Sequence, residues 1–565
     1  MKRYITFLLF AAILFTFLPW LGDTLFNTKG EPREAIVALS MIKSGDYILP
    51  TSCGGDIPYK PPFLAWLIVL CSWLTGGVNE ISARMPSALA TIFMAWGFYL
   101  FLSRRLADKG NAGLTAVIST AVTVTAFEVY RAATACRVDM VLTACIVGAI
   151  LLFNRRREID GRPSVSLFGL ILMACAVMTK GPVGMILPCL ILGIYFLLRG
   201  DNFWRAFGVL AFSGLLSLAG YAVWLYLAFM QGGQQFADLV WEENIGRMTG
   251  TMTYESHVNP VYYNFITVIA GMLPYTLAAL MGLAVVRWRR ISIAGVWSGI
   301  RSMQPVSLLS LTAIVVTLVF YSIPASKRSV YLLPLYPFLS YFTALMLLEI
   351  ASRSRRIISI YSGLTGFLAL TVAVVAVVVN AVDMQAVTTG MKPDTASFIT
   401  ALHEWSVSFA GWICIAIACI VGFYTFAAIR GGDGRCVMGW SIASTFAIYL
   451  VLSSTVQPAL LSSKSDLRFA RVIERYSAGD EPVYQYISDP MLRYYTAGFY
   501  LNDRIVPIQG RDPKQGYVMV NDADKKDFYD EYADKYQLSA VYESNVKSCD
   551  TRRTVTIFYF SSDLR

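Results

Sequence analysis

Residues 165–198 read VSLFGLILMACAVMTKGPVGMILPCLILGIYFLL, two apolar runs separated by one charge, Lys180. Each run approaches the ~17–25 residues that cross the hydrocarbon core of a bilayer, so the stretch reads as two spans joined by a short turn. Comparable runs recur at about 4–22, 83–103, 111–128, 140–154, 206–229, 262–286, 306–323, 330–350, 357–382, 407–428 and 436–456. The chain is therefore expected to be a polytopic α-helical membrane protein of about thirteen transmembrane helices. A composition of 56% hydrophobic and 15% charged residues, with a mean hydropathy of +0.55, agrees with this, since no soluble core of this length needs so much apolar surface.

Arg162 precedes the quoted stretch and Arg199 follows it. When spans are counted, Arg104, Arg105 and Lys109 fall on the same side, as do Arg155 to Arg157, Arg287, Arg289, Arg290, Arg301, Arg353, Arg355, Arg356, Arg430 and Arg435. Loops rich in Lys and Arg stay in the cytoplasm, so the N-terminus is expected inside and the C-terminus outside. The net charge of +10 then belongs to topology and calls for no nucleic-acid partner. The N-terminal MKRYITFLLFAAILFTFLPWLGD has no small-x-small cleavage site and reads as a retained first span. The ten cysteines form no CxxC pair; most lie in apolar runs, and nothing in the spacing pairs the two extramembrane ones, Cys53 and Cys549.

Between the first two spans, residues 23–82 form a long outer stretch containing the apolar run 63–74. That run is short for a span, and counting it as one would invert every later loop, so it reads as an interfacial or re-entrant helix. A second long outer loop is expected at 230–261. From 457 the composition becomes that of a soluble domain, with strand-like runs at 482–487, 516–520 and 554–560 and a helical run at 525–536. The expected organisation is a membrane domain over 1–456 and a small C-terminal extracytoplasmic α/β domain over 457–565.

Charges near a bilayer are costly, and those of the outer face recur on several loops: Glu31, Arg33, Glu34 and Lys60; Arg131, Arg137 and Asp139; Lys180; Glu242, Glu243, Arg247, Glu255 and His257; Lys327 and Arg328. Several cations with a few carboxylates suit an anionic substrate, the cations holding phosphate and a carboxylate serving acid/base work. The plainer reading of any one of them is a helix end anchored by a snorkelling side chain, a helix N-terminal charge for Glu31 and Glu34, or an ion pair with Arg137 for Asp139.

The segments Gly30-Glu-Pro-Arg-Glu-Ala35, Ser44-Gly-Asp-Tyr-Ile-Leu-Pro50 and Tyr59-Lys-Pro-Pro62 resemble the first periplasmic loop of the 4-amino-4-deoxy-L-arabinose lipid A transferases. These belong to the GT-C glycosyltransferase superfamily, with the protein O-mannosyltransferases. The resemblance continues through Arg137-Val-Asp-Met140, Thr179-Lys-Gly-Pro-Val-Gly184, Asn244-Ile-Gly-Arg247 with His257, and Pro324 to Pro337; the C-terminal domain contributes little. It implies a GT-C-like fold in a bacterial inner membrane and direct, inverting transfer of a sugar from a polyprenyl phosphate, most simply undecaprenyl phosphate. The acceptor would be lipid A or another outer-face acceptor. Arg33 and Lys60 align with the cations that hold the donor phosphate; Arg137, Lys180, His257, Lys327 and Arg328 are further substrate-binding candidates. Two positions depart from the pattern. Gly30 stands where the family carries Asp, leaving Glu31 and then Asp139 as the candidate catalytic carboxylates, unless an ionised phosphate acceptor makes a base unnecessary. Tyr59 stands where a metal-associated Glu is usual, so no obligatory cofactor and no metal site are expected. The same chemistry on a protein hydroxyl or a growing glycan is the alternative within this class; a transporter or flippase of a lipid-linked anion is the alternative outside it, disfavoured by the lack of visible repeats.

Overall fold

The computed structural model describes residues 2–106, 112–246, 249, 258–285, 299, 302–381, 391, 399–402, 404–477, 479–489 and 492–562. Among these, eight helices are long and apolar enough to cross a membrane, or ten if each of two sharply bent pairs is one span. Three shorter apolar helices, Tyr4–Phe17, Leu167–Lys180 and Val183–Leu198, fall on the other expected spans. The first eleven helices are α1 (Lys2–Phe17), α2 (Pro32–Ser44), α3 (Phe63–Thr75), α4 (Glu80–Arg105), α5 (Ala112–Thr125), α6 (Phe127–Ala133), α7 (Val138–Asp160), α8 (Leu167–Lys180), α9 (Val183–Leu198), α10 (Phe203–Ser217) and α11 (Ala219–Trp241). Several starts carry recognisable caps: Asn79 and Ser82 form a capping box at α4, and Ser166 and Asn202 accept backbone N–H groups at α8 and α10.

The apolar run after Lys60 is α3, 13 residues and so about 20 Å long, well short of a ~30 Å hydrocarbon core. It buries Leu64 and Ile68 against its neighbours and leaves Trp73 and Leu74 exposed, as an interfacial helix does. Gly76, at φ 75°, ends it in a left-handed turn that returns the chain to α4.

The expected outer loop beginning at residue 230 is instead helical. Residues Phe203–Asn244 form one helical stretch of 42 residues, about 63 Å long and roughly twice the membrane core. Gly232 and Gly233 read as a loop signal, and the backbone does break at Gly233 (φ 54°, ψ −144°). Packing keeps the break local: Trp224 Nε1 donates to the Ile48 carbonyl at 3.0 Å, and Trp224 and Phe236 close over Leu49. The protruding half of α11 thus stands against the first outer stretch.

Beyond the last apolar helix, which continues through Gln457–Ser462, lies a five-stranded sheet of β1 (Val483–Tyr486), β2 (Ile505–Pro507), β3 (Gln515–Asn521), β4 (Gln537–Glu543) and β5 (Val555–Ser561). The order is β2-β1-β3-β5-β4, with β1 parallel to β2 and β3 and the β5 pairings antiparallel. Strand alternation divides the side chains between two faces: Met519, Val555 and Ile557 pack under the Leu467–Tyr476 helix, while Val518, Phe558 and Phe560 pack under Lys525–Tyr532. β2 and β4 went unread in the sequence; β4 is a largely exposed edge strand with a bulge between Ala540 and Tyr542, which blurs its alternation.

This outer lobe is fastened to the first outer stretch. The Phe26 N–H donates to Tyr500 Oη at 2.9 Å, and that hydroxyl donates to Glu80 at 2.6 Å. Asp503 accepts from Ser40 Oγ at 2.7 Å and from the Cys53 N–H at 2.8 Å. Gly54 lies flat on Val506, where a Cβ would come within 2.8 Å. Asp503→Ala strands the Cys53 N–H and is expected to cost about 1–3 kcal/mol, measured as a lower unfolding midpoint and faster proteolysis at the lobe junction.

Candidate active site

The site begins at the first turn of α2, where Pro32 starts the helix and Glu31 and Glu34 stand one turn apart. Glu31 points into the protein. Its carboxylate accepts from Arg84 Nε at 2.8 Å, from Arg84 Nη2 at 3.3 Å and from the Cys136 N–H at 2.9 Å. Arg84 spends its remaining donors on the carbonyls of Leu21 (2.8 Å) and Thr24 (2.6 Å) and lies over the Phe26 ring at 5.2 Å. Burial pushes the Glu31 carboxyl up, but Arg84 and the Cys136 N–H outweigh it and hold the group ionised below its ordinary range. Arg84 was not singled out in the sequence, although a lone arginine within an apolar helix is itself a signal.

Glu34 has other partners. Lys60 forms an ion pair with it and Arg33 stands 3.8 Å off; against burial, these two cations hold its carboxyl low. Arg33 Nη2 donates to the Tyr59 hydroxyl at 3.4 Å, and both Arg33 and Lys60 lie within 6 Å of the Tyr59 ring centre, at 5.8 and 5.7 Å. Arg33, Lys60, Glu34 and Tyr59 line a cavity of about 280 Å³, completed by Tyr495 of the outer lobe and by Gln235 from the protruding half of α11. The two expected phosphate-holding cations therefore share one cavity.

Asp139, 7% exposed, pairs with Lys180 at 2.6 Å and not with Arg137. The cause is local. Arg137 precedes α7 in extended backbone (φ −148°, ψ 150°), and its guanidinium rests against Gly30, where a Cβ would come 2.5 Å from Nη2. Lys180 ends α8 and also sits 4.1 Å from the Tyr331 ring. Arg137, Arg131, Arg84 and Glu31 line a second polar cavity of about 210 Å³, and Arg131 is bound to Glu128 at 2.6 Å. Arg137 has no ion pair among the described residues.

Lys327 and Arg328 line neither cavity. Lys327 is 4% exposed and folds back to donate to the Pro324 carbonyl at 2.7 Å; Arg328 is half-buried. His257 and Arg247 lie outside the described residues.

Residues 59–227 match the family described as dolichyl-phosphate-mannose-protein mannosyltransferase. The chain is 25% identical over 485 residues to the undecaprenyl phosphate-alpha-4-amino-4-deoxy-L-arabinose arabinosyl transferase of Pectobacterium carotovorum, an alignment covering 83% of this chain and 79% of the relative. Two uncharacterized Aquifex aeolicus proteins are 27% and 29% identical over 61% and 58% of this chain, and those alignments span 64% and 69% of their lengths. The crystal structure of ArnT from Cupriavidus metallidurans bound to undecaprenyl phosphate superposes with a TM-score of 0.69 at 20% identity, over 98% of this chain and 97% of that one. The fold is thus of the GT-C type, and the resemblance read from the sequence is borne out.

At the position of the family's metal-associated Glu, Tyr59 offers a phenol engaged with Arg33 and no carboxylate. Among the described residues one group of metal-ligating side chains stands together, Asp466, Cys549 and Asp550, with ligand atoms within 4.8 Å of one another. Its carboxylates already hold protein donors: the Cys549 N–H (3.0 Å) and Ser548 Oγ on Asp466, the Thr496 N–H (2.7 Å) and Oγ1 (2.9 Å) on Asp550. Burial keeps the Cys549 thiol protonated and both carboxylates are engaged by protein donors, so the cluster reads as a joint of the outer lobe. Burial, then the charge of Asp466, pushes the Asp550 carboxyl far above its ordinary range. A raised carboxyl pKa stabilises the fold below the unfolded value of about 3.9, and that contribution is lost as pH rises towards the folded value. The lobe's unfolding midpoint is expected to fall between about pH 4 and about pH 8, and Asp550→Asn to flatten the dependence.

Proposed function

We propose, from its GT-C fold and its arabinosyl- and mannosyltransferase relatives, that this protein moves a sugar from undecaprenyl phosphate to lipid A or a related outer-face acceptor, with inversion at the anomeric carbon. The coarser statement, a multi-pass membrane glycosyltransferase that draws on a polyprenyl-phosphate sugar, accords with the names of those relatives and with the fold. The observation that carries the finer reading is the distribution of charge. Each of Glu31, Glu34 and Asp139 is held by a cation of its own, while Arg137 has no ion pair among the described residues and Arg33 stands 3.8 Å from Glu34. The cluster is built to receive negative charge.

In this reading the donor phosphate enters the cavity of Arg33 and Lys60. The glycosyl–phosphate bond breaks as the acceptor oxygen attacks from the opposite face, and the charge growing on the departing phosphate is met by two fixed cations. Lys60 exchanges Glu34 for that phosphate. No base is required if the nucleophile is a phosphate oxygen already ionised at neutral pH; Gly30 and the engaged carboxylates fit that case better than they fit a hydroxyl acceptor. The protein sits in a bacterial inner membrane with its N-terminus in the cytoplasm, the periplasmic part follows the end of the last apolar helix at Ser462, and Lys180 and Arg137 border the acceptor. Lys327, Arg328 and His257 remain outer-loop candidates for contacts to the rest of that substrate.

Purified protein in liposomes, given undecaprenyl-phosphate-linked sugar and lipid A, tests the reading. Arg33→Ala and Lys60→Ala should each lose transfer by about 10²-fold or more while remaining folded and inserted; full activity in both would sink the proposal, and movement of unmodified donor across the bilayer would indicate a flippase. Glu31→Gln and Asp139→Asn decide the acceptor chemistry: a phosphate acceptor leaves turnover of the folded variants within about tenfold, whereas a hydroxyl acceptor that needs either carboxylate costs about 10²–10⁴-fold. Mass spectrometry of lipid A and surface glycoproteins from a deletion strain identifies the acceptor directly.

A further inference from the structure

An apolar cavity of about 580 Å³ lies between α4, α7 and α8 and belongs to neither polar site. Its wall follows α4 from Pro86 through Phe93 and Gly97 to Arg104, about 27 Å of helix and close to the thickness of the hydrocarbon core. At the Pro86 end the interfacial helix α3 lies over it with Phe63, Leu67 and Leu70. At the other end its lining is basic, with Arg104, Arg105 and Arg155.

These three arginines are not equivalent. Arg105 is bound through two nitrogens to Glu158 and stacks 4.2 Å over the Phe101 ring. Arg104 and Arg155 are exposed and have no carboxylate partner among the described residues. An apolar slot covered at one end and flanked at the other by two cations with no carboxylate partner among the described residues matches an anionic lipid whose acyl chains run up towards α3 and whose phosphate rests between the arginines. A donor lipid held by Arg33 and Lys60 would carry its phosphate at the opposite end.

We infer that this groove is a binding site for one anionic phospholipid of the leaflet on the Arg104/Arg155 side, the cytoplasmic leaflet in the orientation proposed above. The site leaves the transfer chemistry untouched and holds α3, and with it Lys60 at its start, against α4. Gly97 gives the slot its width: open space lies beyond its Cα, so a larger side chain there fills the groove without meeting another helix.

Native mass spectrometry of the full-length protein, stripped of lipid in mild detergent and titrated with phosphatidylglycerol or phosphatidylethanolamine of identical chains, tests this. One phosphatidylglycerol should be retained in preference to phosphatidylethanolamine, the preference should fall by about tenfold or more in Arg104→Gln/Arg155→Gln, and Gly97→Leu should expel the lipid while the protein stays monodisperse. Equal retention of the two lipids, or a preference unchanged in the double variant, overturns the inference. So does added undecaprenyl phosphate that is displaced by Gly97→Leu yet indifferent to the arginines, which would assign the groove to the donor's tail. None of these readouts depends on sugar transfer, so failure here is distinguishable from failure of the proposed activity.

Discussion

The buried ion pair between Glu31 and Arg84 is the constraint on which the outer face depends. It joins the start of α2 to a membrane helix, and through the Cys136 N–H and the carbonyls of Leu21 and Thr24 it draws two further backbone segments to the same point. Removing one partner of such a pair costs about 3–5 kcal/mol, because the other is left as an uncompensated buried charge. A pair this expensive to break fixes the angle at which α2 leaves the membrane surface. With Glu31 turned inward, Arg33, two residues on and about 200° round the helix, is turned away from it, and Glu34, one turn on from Glu31, reaches Lys60 instead of Arg84, so the anchoring contact and the cation cavity are set by one turn of helix.

The cavity is also held from outside the membrane. Tyr495 belongs to the outer lobe and donates to Asp56 at 3.2 Å, on the loop that delivers Tyr59 and Lys60. Arg493 reaches the same carboxylate at 3.2 Å. The lobe is therefore part of the wall of the site, although its sequence says little about family. Its sheet serves as a rigid mount, and the residues it contributes sit on the loop and short helix between β1 and β2, where scaffold-borne functional residues commonly lie.

Much of the architecture was legible because the bilayer imposes a length and an all-helical backbone on whatever crosses it. The apolar runs, the short α3 and the soluble character after residue 456 all follow from that single solvent. What escaped was set by contacts between segments far apart in the chain. Gly232-Gly233 reads locally as a turn and the backbone does break there, yet Trp224 and Phe236, one on each side of the break, close on Leu49 and keep both segments helical. Asp139 has Arg137 two residues away, yet it pairs with Lys180, because the extended backbone at Arg137 points that side chain to Gly30. At the site, Arg33, Lys60 and Glu34 were readable as a charged set; Arg84 was hidden inside an apolar run, and nothing in the string of residues announces that it would claim Glu31.

The helical stretch from Phe203 to Asn244 has a mechanical consequence. One end is immersed in lipid and the other walls the polar cavity, so the stretch behaves as a lever with its fulcrum at the membrane surface. A bilayer of different thickness tilts the immersed arm to match its apolar length, and the tilt would swing Gln235 and Leu239 relative to Arg33 and Lys60. The stretch is interrupted twice, at Leu218 between α10 and α11 and at Gly233 below the cavity wall. The interruption at Leu218 lies below Trp224, so the immersed arm can follow the lipid while Trp224 and Phe236 stay seated on Leu49, insulating the dimensions of the site from the membrane that carries it.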